Sequence, residues 1–189
     1  MSQADHFFLF ALGGNMPSGF GSCAQTLRVA VARLEAVLVR SLTLSPLYRT
    51  PSFPAGAGPD YVNAAALVRA PQTPSEMLDL LHMIEAEFGR ERVQRWGRRT
   101  LDLDLIAVDQ MILPDPETHR HWRDFALSEQ MVRVPDRLIL PHPRLQERAF
   151  VLVPLADVAP EWVHPALGRS VAQMLADLPV SARNEVVLL

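Results

Sequence analysis

Lysine is missing altogether. All 18 basic residues of the 189-residue chain are arginine, which removes Schiff-base chemistry, lysine nucleophiles and the lysine of a phosphate-binding P-loop together. Any phosphate bound here must be met by arginine, histidine, backbone amides or a metal. Cysteine is nearly missing: Cys23 alone can form neither an internal disulfide nor a cysteine-rich zinc site. That usage fits a reducing compartment and makes the cytoplasm the expected location. No apolar run approaches the roughly 18 residues of a membrane helix. Phe7–Leu12 follows Asp5 and His6 rather than basic residues and is shorter than the apolar region of a signal peptide. Repeats and low-complexity tracts are absent. So is a strong charge of either sign: the formal net charge is −3, with 21% charged and 49% apolar residues. Disorder, a membrane partner and bulk attraction to nucleic acid are therefore poor readings.

What is present is the pattern of one globular domain spanning 1–189, with a core over 7–108 and elaborations over 109–189. Phe7–Leu12 reads as a buried strand stopped by Gly13-Gly14-Asn15. Ser22 and Gln25 have capping-box spacing, and Leu27, Ala30, Val31, Leu34, Val37 and Leu38 recur at helical intervals. Leu42 to Tyr48 reads as extended, pushed to a sheet edge by Pro46. The Pro- and Gly-rich stretch 51–60 is a loop. Tyr61–Arg69 reads as a strand, and Thr73-Pro74-Ser75-Glu76 opens a helix with an N-cap, a proline at N1 and a glutamate at N3, ending at Gly89. Leu101, Leu103 and Leu105 then alternate with Asp102 and Asp104. The order β-α-β-β-α-β predicts an α+β fold: a ferredoxin-like antiparallel sheet with both helices on one face. From 109 to 140 the chain is polar and interrupted by prolines, with at most a short helix of uncertain position. The apolar run Phe150–Leu155 and a last helix near Ser170–Leu178 are expected to wrap the core.

Chemistry gathers around the alternating strand. Two carboxylates at i and i+2 point the same way, about 7 Å apart along the strand, within reach of one or two hard cations. A solvated strand face is an equally good reading of that spacing alone. The balance shifts because Arg90, Arg92, Arg95, Arg98 and Arg99 crowd into ten residues just upstream, against one acid, Glu91. Five guanidinium groups repel one another unless anions lie among them, and carboxylates beside arginines suit a polyphosphate carried with magnesium. His142, fixed between two prolines, is followed by Arg144 and Arg148, and all three could reach phosphate. Glu85 could accept from a ligand hydroxyl or organise the arginine loop, whereas Glu87 is expected to pair with that loop. Trp96 could plate a flat ligand, and Asn63, on the same face as Tyr61, could read a heterocycle edge. His119 and His121, in the polar insertion, are expected to be merely exposed.

The segments Leu12-Gly13-Gly14-Asn15, Tyr48-Arg49-Thr50-Pro51, Tyr61-Val62-Asn63, Ile84-Glu85, Gly89-Arg90-Glu91-Arg92, Arg95 to Asp104, Pro141-His142-Pro143-Arg144 and Arg148-Ala149-Phe150 stand in this order. The chain in this respect resembles the 6-hydroxymethyl-7,8-dihydropterin pyrophosphokinases of folate synthesis, from about residue 8 to residue 178. The resemblance implies that Asp102 and Asp104 ligate two magnesium ions bridging the phosphates of ATP, the co-substrate. It implies ATP contacts from Glu85, Arg92, Arg95, Arg99, Arg137, His142 and Arg148, with Arg90, Arg99 and His142 the catalytic residues. The pterin would lie between the rings of Tyr61 and Phe150, read at its edge by Thr50, Pro51, Phe53 and Asn63 and covered by Trp96. Loops 51–60 and 89–99 would be lids, and the enzyme a monomer acting on small molecules. The implied reaction moves the β,γ-diphosphoryl unit of ATP to the pterin's hydroxymethyl oxygen and leaves AMP.

Three features depart from the family pattern. Arg98 stands where proline is usual, Gly14 replaces a serine with smaller expected consequence, and 109–136 is longer than in compact relatives. Two rival readings follow. One is a relative that binds nucleotide and pterin without transfer, which Arg98 leaves open. The other is an RNA-recognition module, which shares the element order but would need an aromatic platform that Tyr61–Leu67 lacks.

Overall fold

Two capping boxes set the frame of the first half. Ser22 accepts from the Gln25 amide while Gln25 reaches back to the Ser22 amide, opening α1 (Cys23–Leu38). Thr73 and Glu76 do the same for the second helix, Pro74–Glu87, whose first position is the proline. Each box satisfies two amides that a helix start leaves without intrahelical partners. The structure, a computed structural model, describes residues 4–52, 58–89, 99–126, 129 and 133–189. Phe53, Arg90, Arg92, Arg95, Trp96 and Arg98 lie outside the described residues.

Strand β1 (His6–Gly14) is an inner strand, second from one end of a six-stranded antiparallel sheet. The other strands are β2 (Thr43–Leu44), β3 (Tyr48–Thr50), β4 (Tyr61–Ala70), β5 (Asp102–Val108) and, at the C-terminus, Val187–Leu188. The order is β5-β1-β4-β3 and then the C-terminal strand, with β2 beside β4. The extended segment expected over Leu42–Tyr48 is broken into β2 and β3 around Pro46, which has no N–H to give a ladder. Across the break Ser45 donates its amide to Ala65 O at 2.9 Å and takes the Ala65 amide on its hydroxyl at 2.9 Å. Only β2 stays at an edge, since the C-terminal strand covers β3.

Alternation splits the sheet's residues between two layers. Phe8, Phe10, Leu12, Leu103 and Leu105 face α1 and α2 (Pro74–Glu87) in one core cluster. Leu9, Ala65, Ile106 and Ala107 face the other way, against α4 (Ala149–Val158), Trp162 and α5 (Val171–Asp177). Both early helices thus share one face, as expected, but the C-terminal helices make a third layer on the opposite face. The run Phe150–Leu155 is helical despite Pro154 within it. A register shift at Leu9/Phe10 leaves Ile106 as the extra residue of a bulge on β5, which turns both Ile106 and Ala107 toward the third layer.

The insertion contains α3 (Pro116–Asp124), capped by Asp115. Beyond it, the chain returns to the outer edge of β5. Leu113 and Leu140 exchange backbone hydrogen bonds at 2.8 and 3.2 Å, and the His142 amide donates to Ile106 O at 2.7 Å. Next come the short hairpin β6 (Val163–His164) and β7 (Arg169–Ser170), then α5 and α6 (Val180–Asn184) before the last strand, β8 (Val187–Leu188).

Candidate active site

Cross-strand register lines up one row of side chains on the α4 face: Tyr48 of β3 opposite Asn63 of β4, then Gly13 of β1, then Asp102 of β5. The next row holds Ala65, Ala11 and Asp104. With strands about 4.8 Å apart, Asn63 and Asp102 stand about 10 Å from each other. Between them lies Gly13, with the partly exposed Ala11 in the next row, a low floor over which a flat ligand and a polyphosphate can lie end to end. A Cβ on Gly13 would meet Asn63 Oδ1 at 2.9 Å, so the missing side chain also gives the amide its place.

At the β5 end Asp102 and Asp104 point to the same face and are half-buried. Arg99 is ion-paired with Asp102. No side chain among the described residues hydrogen-bonds or ion-pairs with the Asp104 carboxylate. A half-buried carboxylate with open oxygens beside a second one is a donor set suited to a hard cation such as magnesium. Arg148, at the start of α4, is held near both: burial pushes its guanidinium pKa down, while the charges of Asp104 and Asp102 oppose that shift. Arginine remains charged regardless.

His142 completes this end. Its Nδ1 accepts the Arg144 amide at 3.1 Å, so in the neutral ring the proton sits on Nε2. Burial first, then the charges of Arg148 and Arg144, lower its pKa to about 3, and Asp102 opposes them. In the protein without ligand it is a neutral hydrogen-bond donor. Arg144 itself pairs with Glu147 at 2.6 Å.

Glu85 supports β5 from behind. It is 1% exposed, and its Oε1 accepts the Leu103 amide at 2.7 Å, fixing β5 between the two aspartates. The turn after β1 does the same from the other side: Asn15 and Met16 donate their amides to Arg99 O at 3.0 and 3.1 Å, and the Arg99 amide returns to Asn15 Oδ1 at 3.0 Å. A Cβ on Gly14 would come within 2.7 Å of Thr100 O. A side chain at Gly14 would crowd the backbone just after this clamp.

At the opposite end the Asn63 amide Nδ2 donates to Thr50 Oγ1 at 2.7 Å, both buried. Tyr61 opens β4, and Phe150 lies in the first turn of α4. Phe150 is 41% exposed where its neighbours Ala149, Val151 and Leu152 are buried, with Arg148 over its ring at 5.6 Å. Neither ring stacks on another aromatic among the described residues. Tyr48 donates its hydroxyl to Asp157 at 2.8 Å, a tie between β3 and α4.

Several other residues have partners or surroundings of their own. Arg137 is exposed, pairs with Asp136 and senses Asp115 at the start of α3. Pro51 lines a small cavity of about 160 Å³ with Arg49, Asp60, Glu185 and Val187. Glu87 pairs with Arg33 at 2.8 Å rather than with the arginine loop, because α1 and α2 pack side by side. His119 is not exposed but buried, because α3 folds back onto the 139–142 strap. A larger cleft of about 480 Å³, lined by Phe7, Leu67, Asp109, Val158 and Trp162 among others, contains none of the site residues. The Asn15 clamp and Tyr48 are supports that the sequence reading missed, and only the Gly-Gly-Asn stop at the end of β1 hinted at the first of them.

Residues 9–160 match the family described as 7,8-dihydro-6-hydroxymethylpterin-pyrophosphokinase. A 2-amino-4-hydroxy-6-hydroxymethyldihydropteridine pyrophosphokinase from Synechocystis is 36% identical over 181 residues, covering 95% of this chain and 80% of that one. One of the same name from Methylorubrum extorquens is 35% identical, covering 89% and 94%. The solved HPPK-DHPS triple mutant of Plasmodium falciparum with SDX-DHP superposes at a TM-score of 0.64 with 14% identity. It shares the fold over 92% of this chain, which spans only 44% of that longer one. By residues matched and by identity along nearly its whole length, the chain belongs to the 7,8-dihydro-6-hydroxymethylpterin-pyrophosphokinase family.

Proposed function

We propose that this chain transfers the β,γ-diphosphoryl group of ATP to the hydroxymethyl oxygen of 6-hydroxymethyl-7,8-dihydropterin, leaving AMP. The observation that carries the reading is the shared row: a buried amide–hydroxyl pair at one end and two same-facing aspartates among Arg99, Arg148 and His142 at the other, separated by a floor of glycine and alanine. Asn63 and Thr50 read the heterocycle's edge, and the rings of Tyr61 and Phe150 stack on its faces. Family membership supports ATP as co-substrate.

Asp102 and Asp104 would hold two magnesium ions, which when bound would supply positive charge to offset that developing at the attacked phosphorus. The chain's own contribution is placement and charge. Arg148, already desolvated, faces the triphosphate without reorganising. Arg99 exchanges Asp102 for phosphate when nucleotide arrives, freeing the carboxylate. Neutral His142 offers its Nε2–H to a phosphate oxygen. Arg90, Arg92, Arg95 and Trp96 belong to the same reading, as do Phe53, Pro51 and Arg137, whereas Glu85, buried and bonded to the Leu103 amide, orders β5 rather than touching ATP.

We also read the strand order, with β2 and β3 as one strand interrupted at Pro46, as ferredoxin-like, and the chain as a single cytoplasmic domain acting as a monomer. Incubation with ATP, magnesium and the reduced pterin, followed by quantification of AMP, tests the function. AMP equimolar with pterin diphosphate is expected. Nucleotide and pterin binding with no AMP would assign the chain to the non-catalytic reading instead.

A further inference from the structure

Behind the nucleotide end lies a buried pair of imidazoles that the reaction above does not use. His119 of α3 and His164 of β6 are 1% and 0% exposed, with ring centroids 5.7 Å apart. His119 Nε2 lies 3.0 Å from Pro141 O. A carbonyl only accepts, so the imidazole donates from Nε2. Its Nδ1 has no partner among the described residues. Burial lowers the pKa of this ring, with Arg123 adding to the effect, which agrees with a neutral ring protonated at Nε2.

The carbonyl of Pro141 and the amide of His142 are the two ends of one planar peptide unit. The amide end donates to Ile106 O of β5 at 2.7 Å, and the carbonyl end takes the His119 proton. A peptide plane held at both ends fixes the direction in which the next Cα–Cβ bond leaves it. The His142 ring is then fixed by the Arg144 amide on Nδ1. Without His119, the carbonyl end of the plane would be free to rock while the amide end stayed on β5.

We propose that His119 is a positioning residue for phosphoryl transfer, aiming the His142 imidazole at the nucleotide by clamping the Pro141 carbonyl. The inference rests on the reading of His142 as a phosphate donor. It also gives a role to the 109–136 insertion: its helix carries the clamp. Misplacement of a reacting partner by about 1 Å can cost on the order of 10²-fold in rate, so a loosened His142 has a measurable signature.

The test is a double-mutant cycle on the full chain, reading kcat and KM by AMP release. His119→Met fills the space without a donor and is expected to lower kcat about tenfold, with KM for the pterin unchanged because Asn63 and Thr50 lie at the other end of the row. His119→Gln restores an N–H and is expected to stay within about twofold of the parent. In a His142→Ala background, His119→Met is expected to cost nothing more. An unchanged kcat in folded His119→Met, or an equal loss with and without His142, overturns the proposal. A fully active His142→Ala overturns the reading of His142, and the clamp with it, a result distinct from the other two. Should His119→Met not fold, ¹⁵N shifts of the parent's imidazoles decide: a neutral His119 protonated on Nε2 is expected, and a ring protonated on Nδ1 overturns the clamp.

Discussion

The two faces of the sheet are built from alternate residues of the same strands, yet they obey different rules. On the α1/α2 face the core positions of β1, β4 and β5 are apolar, from Phe8 to Leu105, and the two helices cover them. On the other face only the half under α4 and α5 is apolar; toward Gly13 the same strands carry Asn63, Asp102 and Asp104. Burying an amide or a carboxylate gains little even when it is partnered, as Asn63 is by Thr50 and Asp102 by Arg99, so this half of the sheet adds little to stability and is arranged instead around what will bind. The contrast is sharpest on β5, where residue 104 faces the site and residue 105 the core.

That pair gives the two largest effects. Asp104→Ala removes a carboxylate with open oxygens and is expected to cut AMP formation by about 10³-fold, roughly 4 kcal/mol of barrier, while the denaturation midpoint stays close to the parent's. Leu105→Ala, one residue on, is expected to cost about 3 kcal/mol of stability through the cavity it leaves, with near-normal turnover per folded molecule. Chemical denaturation and AMP assays on both variants check the contrast, and equal loss in both properties for either variant would break it.

Acid probes the third layer. Burial first, then the positive charge of a protonated His119 and of Arg123, push the His164 pKa down to about 4, against 6.5 for an unperturbed imidazole. A folded-state pKa below the unfolded one means the unfolded chain binds the extra proton first. Stability is therefore full above about pH 6.5 and falls as the pH drops toward 4, by up to about 3 kcal/mol from this ring. Denaturation at pH 7 and pH 4.5 is expected to show a smaller loss for His164→Phe than for the parent. The lowered pKa values of His119 and His142 act in the same direction and persist in both proteins. Next in size, Arg99→Ala is expected to slow transfer about 10²-fold, roughly 2.7 kcal/mol, leaving Asp102 without its ion pair; a rate within twofold of the parent would remove Arg99 from the site.

Local chemistry was the legible part of the sequence. The capping boxes at Ser22 and Thr73, the Leu101–Leu105 alternation and the same-facing aspartates each depend on residues a few positions apart, and each has its expected form. What depended on distant partners was hidden. Nothing near Val187 says that it will cover β3, nothing near Glu87 says that Arg33 will reach it first, and His119 reads as a loop histidine until α3 folds back onto Pro141. The apolar run Phe150–Leu155 has no periodicity that names its structure, and tertiary packing makes it a helix with Pro154 inside. Much of the arginine loop, from Arg90 to Arg98, lies outside the described residues, so the features that drew attention first in the sequence carry the least structural detail.

The smallest effect tests whether the floor between the two ends of the site is a feature or an accident of small residues. Gly13→Ala would place its Cβ 2.9 Å from Asn63 Oδ1, and the amide has little room to retreat because its Nδ2 is already committed to Thr50. The backbone at Gly13 is ordinary strand, paired on both sides, so the cost should fall on the amide's position rather than on the fold. KM for the pterin is expected to rise about tenfold, roughly 1.4 kcal/mol, while kcat at saturating pterin and KM for ATP change less than twofold. Steady-state kinetics varying one substrate at a time separates the two. A loss confined to kcat would mean that the floor serves the phosphate end, and that Asn63 does not read the heterocycle.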